Sequence, residues 1–456
     1  MTTAAITDSL RKNLLKLLSD DVASTIDSDR YYLAFGRTDE WPATIPEPSY
    51  SIANQRRVRS DTQGLKRITS ASFVVPYTEW SSGTIYNAYN DDDPDQTNFY
   101  VVNSSYEVFV CIQAPETSPD VFAQSTVEPT KPTTNPGRTF ITGDDYLWRF
   151  LYAISPLARS KFITSSWMPV KKITGAPTIS EEVEQLAVQD SARPGELIGF
   201  TVVSAGTGAL TTETVDLTPT AVTRTADFVS FGSSGAVWKV EIDSDGLGNP
   251  LHGEGYFDSK ATVTGTAVLK AITGPVDGLT ADPVATLKAK RIMLQTDVQG
   301  NEEAAGLPTL FNDTSRFSQV SLIKNPGTPG DRETGITSDT ANTLRRLTVS
   351  GFGSSQIGDD ITISGSSVGA KLVSKDVGNN YVYYVQNDST GFGTLDGQTI
   401  TYSSGGSATV SADDSSMVAA DVYSGEILYI DNVNTITRGA GQTEDFRLII
   451  NLKDCE

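Results

Sequence analysis

Residues 99–112 of this chain read Phe-Tyr-Val-Val-Asn-Ser-Ser-Tyr-Glu-Val-Phe-Val-Cys-Ile, and they indicate its fold class most directly. Two runs of β-branched and aromatic residues, 99–102 and 108–112, flank a polar stretch. β-Branched and aromatic residues favour extended backbone, whereas Asn and Ser favour turns. The stretch therefore predicts two short strands.

The same pattern recurs along the chain. Short apolar runs predict further strands at 31–35, 72–75, 146–154, 316–324, 426–431 and 445–452. The 38 Gly and 21 Pro residues divide the sequence into short segments, as expected where turns are frequent. A Pro-rich connector at 115–136 is expected to be mostly extended loop. We therefore predict a mainly β protein built from antiparallel sheet.

Two segments show helical spacing instead. Apolar residues recur at three- and four-residue intervals near the N-terminus, which predicts a helix that ends near 20–21. Its expected buried face consists of Ile6, Leu10, Leu14, Leu17 and Leu18. A second helix is predicted at 180–189, where three glutamates favour the N-terminal end.

The charge balance narrows the possible partners. The chain has 35 basic and 56 acidic side chains, a formal net charge of −21. Such a field repels nucleic-acid phosphates and anionic membrane surfaces, so we expect neither as a partner. The one basic cluster, at 56–67, is predicted to be a solvated loop or a protein contact. An acidic chain of this kind remains suited to a basic partner subunit.

The two cysteines are too few for a disulfide framework in a chain of this length. Cys111 lies in an apolar run and is predicted to be a buried thiol, whereas Cys455 is expected to be exposed. The pattern fits folding in a reducing cytoplasm. No basic-then-apolar signal segment and no run of about 18 apolar residues occurs. We expect a protein that is neither exported by a cleaved signal nor membrane-spanning.

Two Gly/Ser/Thr-rich regions differ in composition from the rest of the chain. They predict small β modules, at 197–289 and 343–415, inserted into a discontinuous core formed by 1–196, 290–342 and 416–456. A chain of 456 residues is long enough for about three domains. The weak likeness between the two regions can also arise from turn-rich composition alone.

The single histidine limits catalytic chemistry. A Ser-His-Asp or Cys-His site would have to use His252, which lies in the turn sequence 248–255 without a supporting motif. We therefore predict a loop residue and not a base. One His and two distant Cys cannot supply a typical zinc site.

Oxygen-ligand metals are harder to exclude from sequence. The acidic runs 91–95 and 243–245 could each present carboxylates to calcium, but neither has the EF-hand pattern. We predict hydrated turns there.

The glycine-rich stretches 206–208 and 351–353 lack the Lys and the following helix of a phosphate loop. Paired catalytic carboxylates cannot be recognised from spacing. No enzyme, cofactor or small-molecule substrate is predicted.

Several segments resemble, in the same order, the baseplate wedge subunit of T-even-type contractile-tailed phages that forms a dimer within each wedge. The matched parts cover about half the chain, near 1–190, 310–330 and 420–456. They include Tyr32-Leu-Ala-Phe-Gly-Arg-Thr-Asp-Glu-Trp41, Val74-Val-Pro-Tyr-Thr-Glu-Trp80 with Tyr86 and Tyr89, the strand pair in 101–112, Gly143-Asp-Asp-Tyr-Leu-Trp148, Ile323-Lys-Asn-Pro326 and Ser424-Gly-Glu-Ile-Leu-Tyr429 followed by Gln442-Thr-Glu-Asp445.

The resemblance implies a β-sandwich core, no catalysis, and contacts with neighbouring wedge subunits. It also implies a homodimer located in the virion, at the tail baseplate, after assembly in the host cytoplasm. The family has no counterpart for the two inserted modules.

Four aromatic residues in the matched segments are candidates for packing or for an interface: Trp41, Trp80, Tyr146 and Trp148. Large apolar groups are most simply core residues, and the alternative is an anchor at a dimer or wedge contact. Tyr146 and Trp148 are two residues apart and would share one strand face.

Two rival functions remain. One is a receptor- or glycan-binding tail protein that uses the inserted modules for recognition, which exposed aromatic patches on 197–289 or 343–415 would favour. The other is a polysaccharide-degrading enzyme, which would require a cleft with two close carboxylates.

Overall fold

The computed structural model describes residues 7–23, 29–118, 121–209, 212–218, 228–233, 235–242, 252–257, 260–299, 315–364, 369–386, 395–414, 417–438 and 442–451. The chain forms two compact units. Unit 1 comprises Met1–Leu15, Ser72–Met293 and Ile450–Glu456, and unit 2 comprises Lys16–Ala71 and Leu294–Ile449. These limits differ from the predicted module boundaries, which remain a prediction.

Five helices occur in the described residues. Two were predicted, α1 and α4, whereas the other three carry no clear apolar period. Their bounds are α1 Asp8–Ala23, α2 Ile52–Ser60, α3 Pro156–Phe162, α4 Ser180–Asp190 and α5 Pro283–Thr286.

The predicted buried face of α1 is wrong. Leu10, Leu14 and Leu17 are 48%, 49% and 66% exposed, whereas Leu15 is buried at 1%. Leucines at five positions between 10 and 18 extend around much of the helix, so their spacing does not determine which stripe packs. Tertiary contacts select the stripe, and Ile6 lies outside the described residues.

The basic cluster at 56–59 is helical and not a solvated loop. Ser51 caps α2 by accepting a hydrogen bond from the Asn54 backbone N–H at 3.3 Å. The Arg59 guanidinium then donates to the backbone carbonyls of Val422, Ser424 and Gly425 at 3.0, 2.5 and 2.8 Å. Arg59 therefore fastens α2 to the residues 422–425, whereas Arg56 and Arg57 are exposed.

Unit 2 contains a five-stranded antiparallel sheet with strand order β22-β2-β1-β19-β29. The Phe35 ring packs 5.3 Å from Phe317 and 4.8 Å from Phe446. A Cβ on Gly36 would lie 2.9 Å from the Asp61 carbonyl oxygen, so the sheet requires glycine there. The strands are β1 Tyr31–Gly36, β2 Thr62–Arg67, β19 Arg316–Lys324, β22 Thr340–Asn342 and β29 Glu426–Thr437.

Unit 2 also contains a closed six-stranded barrel with order β23-β26-β25-β24-β27-β28. Its interior is formed by one alternating face of each strand, including Leu347, Ile361, Leu372 and Val410. The barrel lies within the segment predicted as the second module. Its strands are β23 Arg345–Val349, β24 Asp360–Ile363, β25 Ala370–Asp376, β26 Tyr381–Gln386, β27 Thr399–Tyr402 and β28 Ser407–Asp414.

Unit 1 contains a four-stranded antiparallel sheet, here called the host sheet, with order β4-β5-β9-β8. Its core joins Phe109, Cys111, Trp148 and Phe150 to Val188 of α4. The prediction that Cys111 is a buried thiol is confirmed. The strands are β4 Tyr100–Val102, β5 Glu107–Gln113, β8 Thr139–Ile141 and β9 Leu147–Ala153.

A second four-stranded sheet of unit 1, here called the module sheet, has order β11-β17-β16-β13, and a three-stranded sheet has order β12-β14-β15. Both lie in the segment predicted as the first module, and Leu197, Val215, Val237 and Tyr256 share one core. The strands are β11 Leu197–Ser204, β12 Thr212–Thr214, β13 Asp216–Thr218, β14 Phe228–Ser233, β15 Ala236–Ile242, β16 Lys260–Thr262 and β17 Val268–Thr273.

The remaining strands are short or lie where the chain passes between the two units. A short two-stranded hairpin, β6–β7, occupies part of 115–136, and the other described residues of this connector form neither helix nor strand, in line with the predicted, mostly extended loop. The bounds are β3 Ser70–Pro76, β6 Glu116–Ser118, β7 Val121–Phe122, β10 Trp167–Val170, β18 Arg291–Val298, β20 Gly327–Thr328, β21 Asp331–Gly335 and β30 Glu444–Asn451.

Strands hold 42% of the chain and helices 13%, so the predicted mainly β fold class is confirmed. The pairs β1–β19, β3–β10, β11–β17, β19–β29, β23–β26 and β5–β9 are all antiparallel. A β-sandwich arrangement of the core stays a prediction.

Candidate functional site

Strand β29 is the outermost strand of its sheet, and among the described residues no strand pairs with its outer side. Its twelve residues are rich in β-branched and aromatic types. It pairs with β19 through contacts such as Ser321↔Ile430 and Gln319↔Asn432, with two register shifts. An unpaired edge of this length presents backbone N–H and C=O groups to which a partner chain can add a strand.

Natural edge strands are commonly blunted by Lys, by Pro or by β-bulges. Strand β29 contains neither Lys nor Pro, but both of its register shifts against β19 place extra residues on β29 itself. Leu428 on the strand is 40% exposed, and Tyr50 and Ile52 are 70% and 69% exposed. Apolar and aromatic side chains beside an open edge are typical of a protein contact.

The segment that carries Tyr50 is held against β29. The side-chain N–H of Asn432 donates to the Pro46 carbonyl at 2.8 Å, and the side-chain oxygen of Asn432 accepts from the Gln319 amide at 2.7 Å. Burial and the neighbouring Asp431 carboxylate raise the pKa of Tyr429 to about 12, with a further contribution from Tyr50. We call β29 together with residues 46–52 the edge surface.

Trp41 lies near the same sheet. Its indole N–H donates to the Ser318 carbonyl at 2.7 Å, and the Arg37 guanidinium lies 3.7 Å from the centre of its ring. The side chain is half-buried. Of the four aromatic candidates, Trp41 and Trp80 keep an accessible face, and Trp41 belongs to the unit that contains the edge surface.

The other three candidates lie in the core of unit 1. Tyr146 and Trp148 are fully buried and stack with ring centroids 5.6 Å apart and an interplanar angle of 18°. They share one face, as their spacing indicates. Trp80 packs partly buried against this cluster, and its indole N–H donates to the Ser125 hydroxyl at 3.1 Å. For Tyr146 and Trp148 the structure places the side chain in packing and not at a surface.

His252 is a loop residue, as predicted, but its side chain is buried and hydrogen-bonded on both sides. Nδ1 lies 2.7 Å from the Leu197 carbonyl and Nε2 lies 2.9 Å from the Thr139 hydroxyl. Beside it, the Arg149 guanidinium forms two contacts of 2.5 and 2.7 Å with the Glu196 carboxylate. Sequence reasoning missed this cluster because its members are far apart in the chain and form no local motif.

The acidic run 91–95 consists of exposed residues in turns, as predicted, and several of its polar groups also contact lysines. The Lys288 ammonium donates to the Asn90 carbonyl at 2.6 Å and to the Asp93 carbonyl, and it lies 5.0 Å from the centre of the Phe99 ring. Asp92 pairs with Lys270, and Asp95 pairs with Lys290 at 2.8 Å. A lysine cation therefore occupies the centre of this loop, while the run 243–245 lies outside the described residues.

The described residues contain no group of three or more His, Cys, Asp or Glu placed to hold a metal ion. In that same part of the chain, no helix has both the length and the apolar character to cross a membrane.

No protein-family model matches this chain, and no curated protein matches it.

Proposed function

We propose that the chain is a non-catalytic structural subunit of the baseplate wedge of a phage contractile tail, where it links neighbouring wedge proteins through protein–protein interfaces. The edge surface is the observation that carries this proposal. It combines an open edge of twelve residues with exposed Leu428, Tyr50 and Ile52.

The ordered sequence resemblance supports the same assignment. Its most persuasive segments, 424–429 and 442–445, include the first four residues of β29 and the first two of β30. The proposal places the protein in the virion tail as a homodimer, with other wedge subunits as partners and with no nucleic acid, membrane or small-molecule substrate.

Sedimentation equilibrium of the purified full-length chain tests the dimer. We expect a dimer, and a strict monomer at high protein concentration would contradict it. Leu428→Lys should weaken the dimer if copies meet at the edge surface, because it places a charge in an apolar contact. The matched control is Val377→Lys, since Val377 is 69% exposed on the barrel.

A photo-reactive benzoylphenylalanine at position 428 tests the wedge contact in assembled particles. Illumination should join the chain to a second copy or to another wedge protein, and position 377 should give little product. Particles that yield no adduct from position 428 would exclude the edge surface as the contact.

The receptor- or glycan-binding alternative receives less support from the modules. Tyr383, Tyr384 and Tyr402 of the barrel are buried, whereas Phe257, in the first module, is exposed. Binding of purified protein to a glycan array, lost on Phe257→Ala, would favour this alternative over the structural role.

A further inference from the structure

The buried cluster around His252 joins two sheets of unit 1. Thr139 and Arg149 belong to β8 and β9 of the host sheet, while Glu196 and Leu197 lie at the start of β11 in the module sheet. All four of these residues, and His252 itself, are at most 4% exposed. Each polar contact between the two sheets here is therefore shielded from water. Hydrogen bonds to charged groups are stronger in such an interior than in water.

The hydrogen atoms of the cluster follow from its partners. The Leu197 carbonyl can only accept, so Nδ1 of His252 carries the proton. In the neutral ring Nε2 is then an acceptor, and the Thr139 hydroxyl donates to it. The same hydroxyl oxygen accepts from Nε and Nη2 of Arg149 at 3.1 and 2.7 Å. The hydroxyl thus uses its one proton and both lone pairs.

We propose that His252 is an acid-sensitive clasp, whose neutral ring fastens the module sheet to the host sheet and whose protonation releases it. A proton added at Nε2 would point at a hydroxyl oxygen with no free lone pair. One Arg149–Thr139 hydrogen bond would have to break, and the Thr139 hydroxyl would lose its acceptor. Protonation is therefore incompatible with the closed network.

The charges that face the ring act in opposite directions. Burial lowers the pKa of His252 to about 4, and the cations Arg149 and Arg193 add to this, whereas the Glu196 carboxylate and the Leu197 carbonyl oppose it. An unfolded or released histidine has its ordinary pKa near 6.5. The released state therefore binds more protons between about pH 6.5 and 4, and the closed state loses stability as the pH falls through that range.

The chain contains one histidine, so nitrogen NMR of the imidazole reports on His252 alone. In the full-length protein at pH 7 we expect the tautomer protonated at Nδ1. Its titration midpoint should lie well below 6.5, at a pH where β11 starts to lose protection. A ring that titrates at its ordinary value, or the opposite tautomer, would overturn the clasp.

Hydrogen exchange tests the release itself, with rates corrected for the intrinsic effect of pH. Between pH 7 and 4.5, strands β11 and β17 should lose protection before β5 and β9. His252→Asn keeps a donor for the Leu197 carbonyl and cannot be protonated in this range. In this variant the corrected exchange rates of β11 and β17 should therefore not change with pH. The proposal would be refuted if all four strands lost protection at the same pH, or if β11 and β17 of the variant lost protection in acid as they do in the wild type.

Should His252→Asn not fold, Thr139→Ser and Thr139→Val provide the comparison. The serine variant keeps the hydroxyl and should retain the NMR titration of the wild type. The valine variant removes it, so the titration midpoint and the exchange of β11 should both change. Equal behaviour of the two variants would show that the hydroxyl has no part in the clasp.

Discussion

Glu196 shows how much one buried charge can contribute to this fold. Its carboxylate is buried with Arg149, and the guanidinium holds its pKa below the usual range against the opposing effect of burial. Removal of one member of a buried ion pair leaves the other charged and without compensation, which typically costs about 3–5 kcal/mol. Surface pairs contribute far less, with typical values of about 0–1 kcal/mol.

We therefore expect Glu196→Gln to destabilise unit 1 by about 3–5 kcal/mol. Asp20→Asn, which disrupts the exposed Lys16–Asp20 pair, should cost less than about 1 kcal/mol. Hydrogen exchange of the slowest amides in β9 measures the loss of stability in Glu196→Gln, and thermal unfolding compares the stability of the two variants. Similar losses for both would mean that the Arg149–Glu196 pair contributes no more than a surface contact.

The residue scale also shows the limits of sequence reasoning about the site. Tyr146 and Trp148 were predicted to share a face because their spacing is a local property of a strand. The other members of the His252 cluster lie at 139, 149, 196 and 197, and no spacing rule connects them. A histidine in a turn sequence is normally solvated, and only the packing of two sheets around it makes this one structural.

At the scale of elements, α1 separates what periodicity can predict from what it cannot. Its existence follows from helical spacing, but its orientation depends on contacts with distant residues. Leu15 is buried and Leu17 is exposed, although both are leucines in the same helix.

The two leucines give a matched pair of substitutions. Leu15→Ala should destabilise the protein by about 2–5 kcal/mol, because it leaves a cavity in a packed interior. Leu17→Ala should change stability by no more than about 0.5 kcal/mol. Chemical denaturation of the two variants provides the measurement, and the reverse order would mean that α1 buries the face expected from the sequence.

The acidic loop at 90–96 is organised by one lysine, whose backbone adopts a left-handed conformation with φ of 54°. Burial lowers the pKa of Lys288, and the carbonyls of Asn90 and Asp93 accept from its ammonium. Such a cation occupies the position that a calcium ion would need, so calcium should not stabilise the wild-type protein.

Lys288→Met should leave those carbonyls without their donor and open the loop. We expect faster proteolytic cleavage within 90–96 and a melting temperature lowered by several degrees, equivalent to about 1–2 kcal/mol. Lys270→Met is the control, because its partner Asp92 is well exposed. Equal cleavage of the two variants, or a calcium-dependent rise in wild-type melting temperature, would contradict this account.

At the scale of the whole molecule, composition was sufficient to predict the mainly β class, because turn-rich sequence with short β-branched runs leaves few alternatives. The strands at 31–36, 107–113 and 316–324 follow from such runs. The pairing of β1 with β19 could not be predicted, since nearly 300 residues separate them and no local signal specifies a partner. The edge surface depends on that pairing, which is why sequence reasoning did not find it.

The barrel offers a decisive test of the predicted modules. Its interior residues, among them Leu347, Leu372 and Val410, come from its own six strands, apart from Leu395 in the loop before β27. Because β23 pairs with both β26 and β28, the ring is closed and no strand of it is left as an edge. A segment with its own core and no open edge should fold without the rest of the chain.

We therefore expect the isolated fragment 343–415 to give a dispersed NMR spectrum and a cooperative unfolding transition. Its stability should be modest, about 3–5 kcal/mol, as is usual for domains of this size. Leu372→Ala should abolish the transition, because a loss of about 2–5 kcal/mol is comparable with the whole stability. Val377→Ala, at an exposed turn, should leave it unchanged. A fragment without dispersed signals would show that the barrel needs the five-stranded sheet of unit 2, and the module boundary at 343–415 would then be wrong.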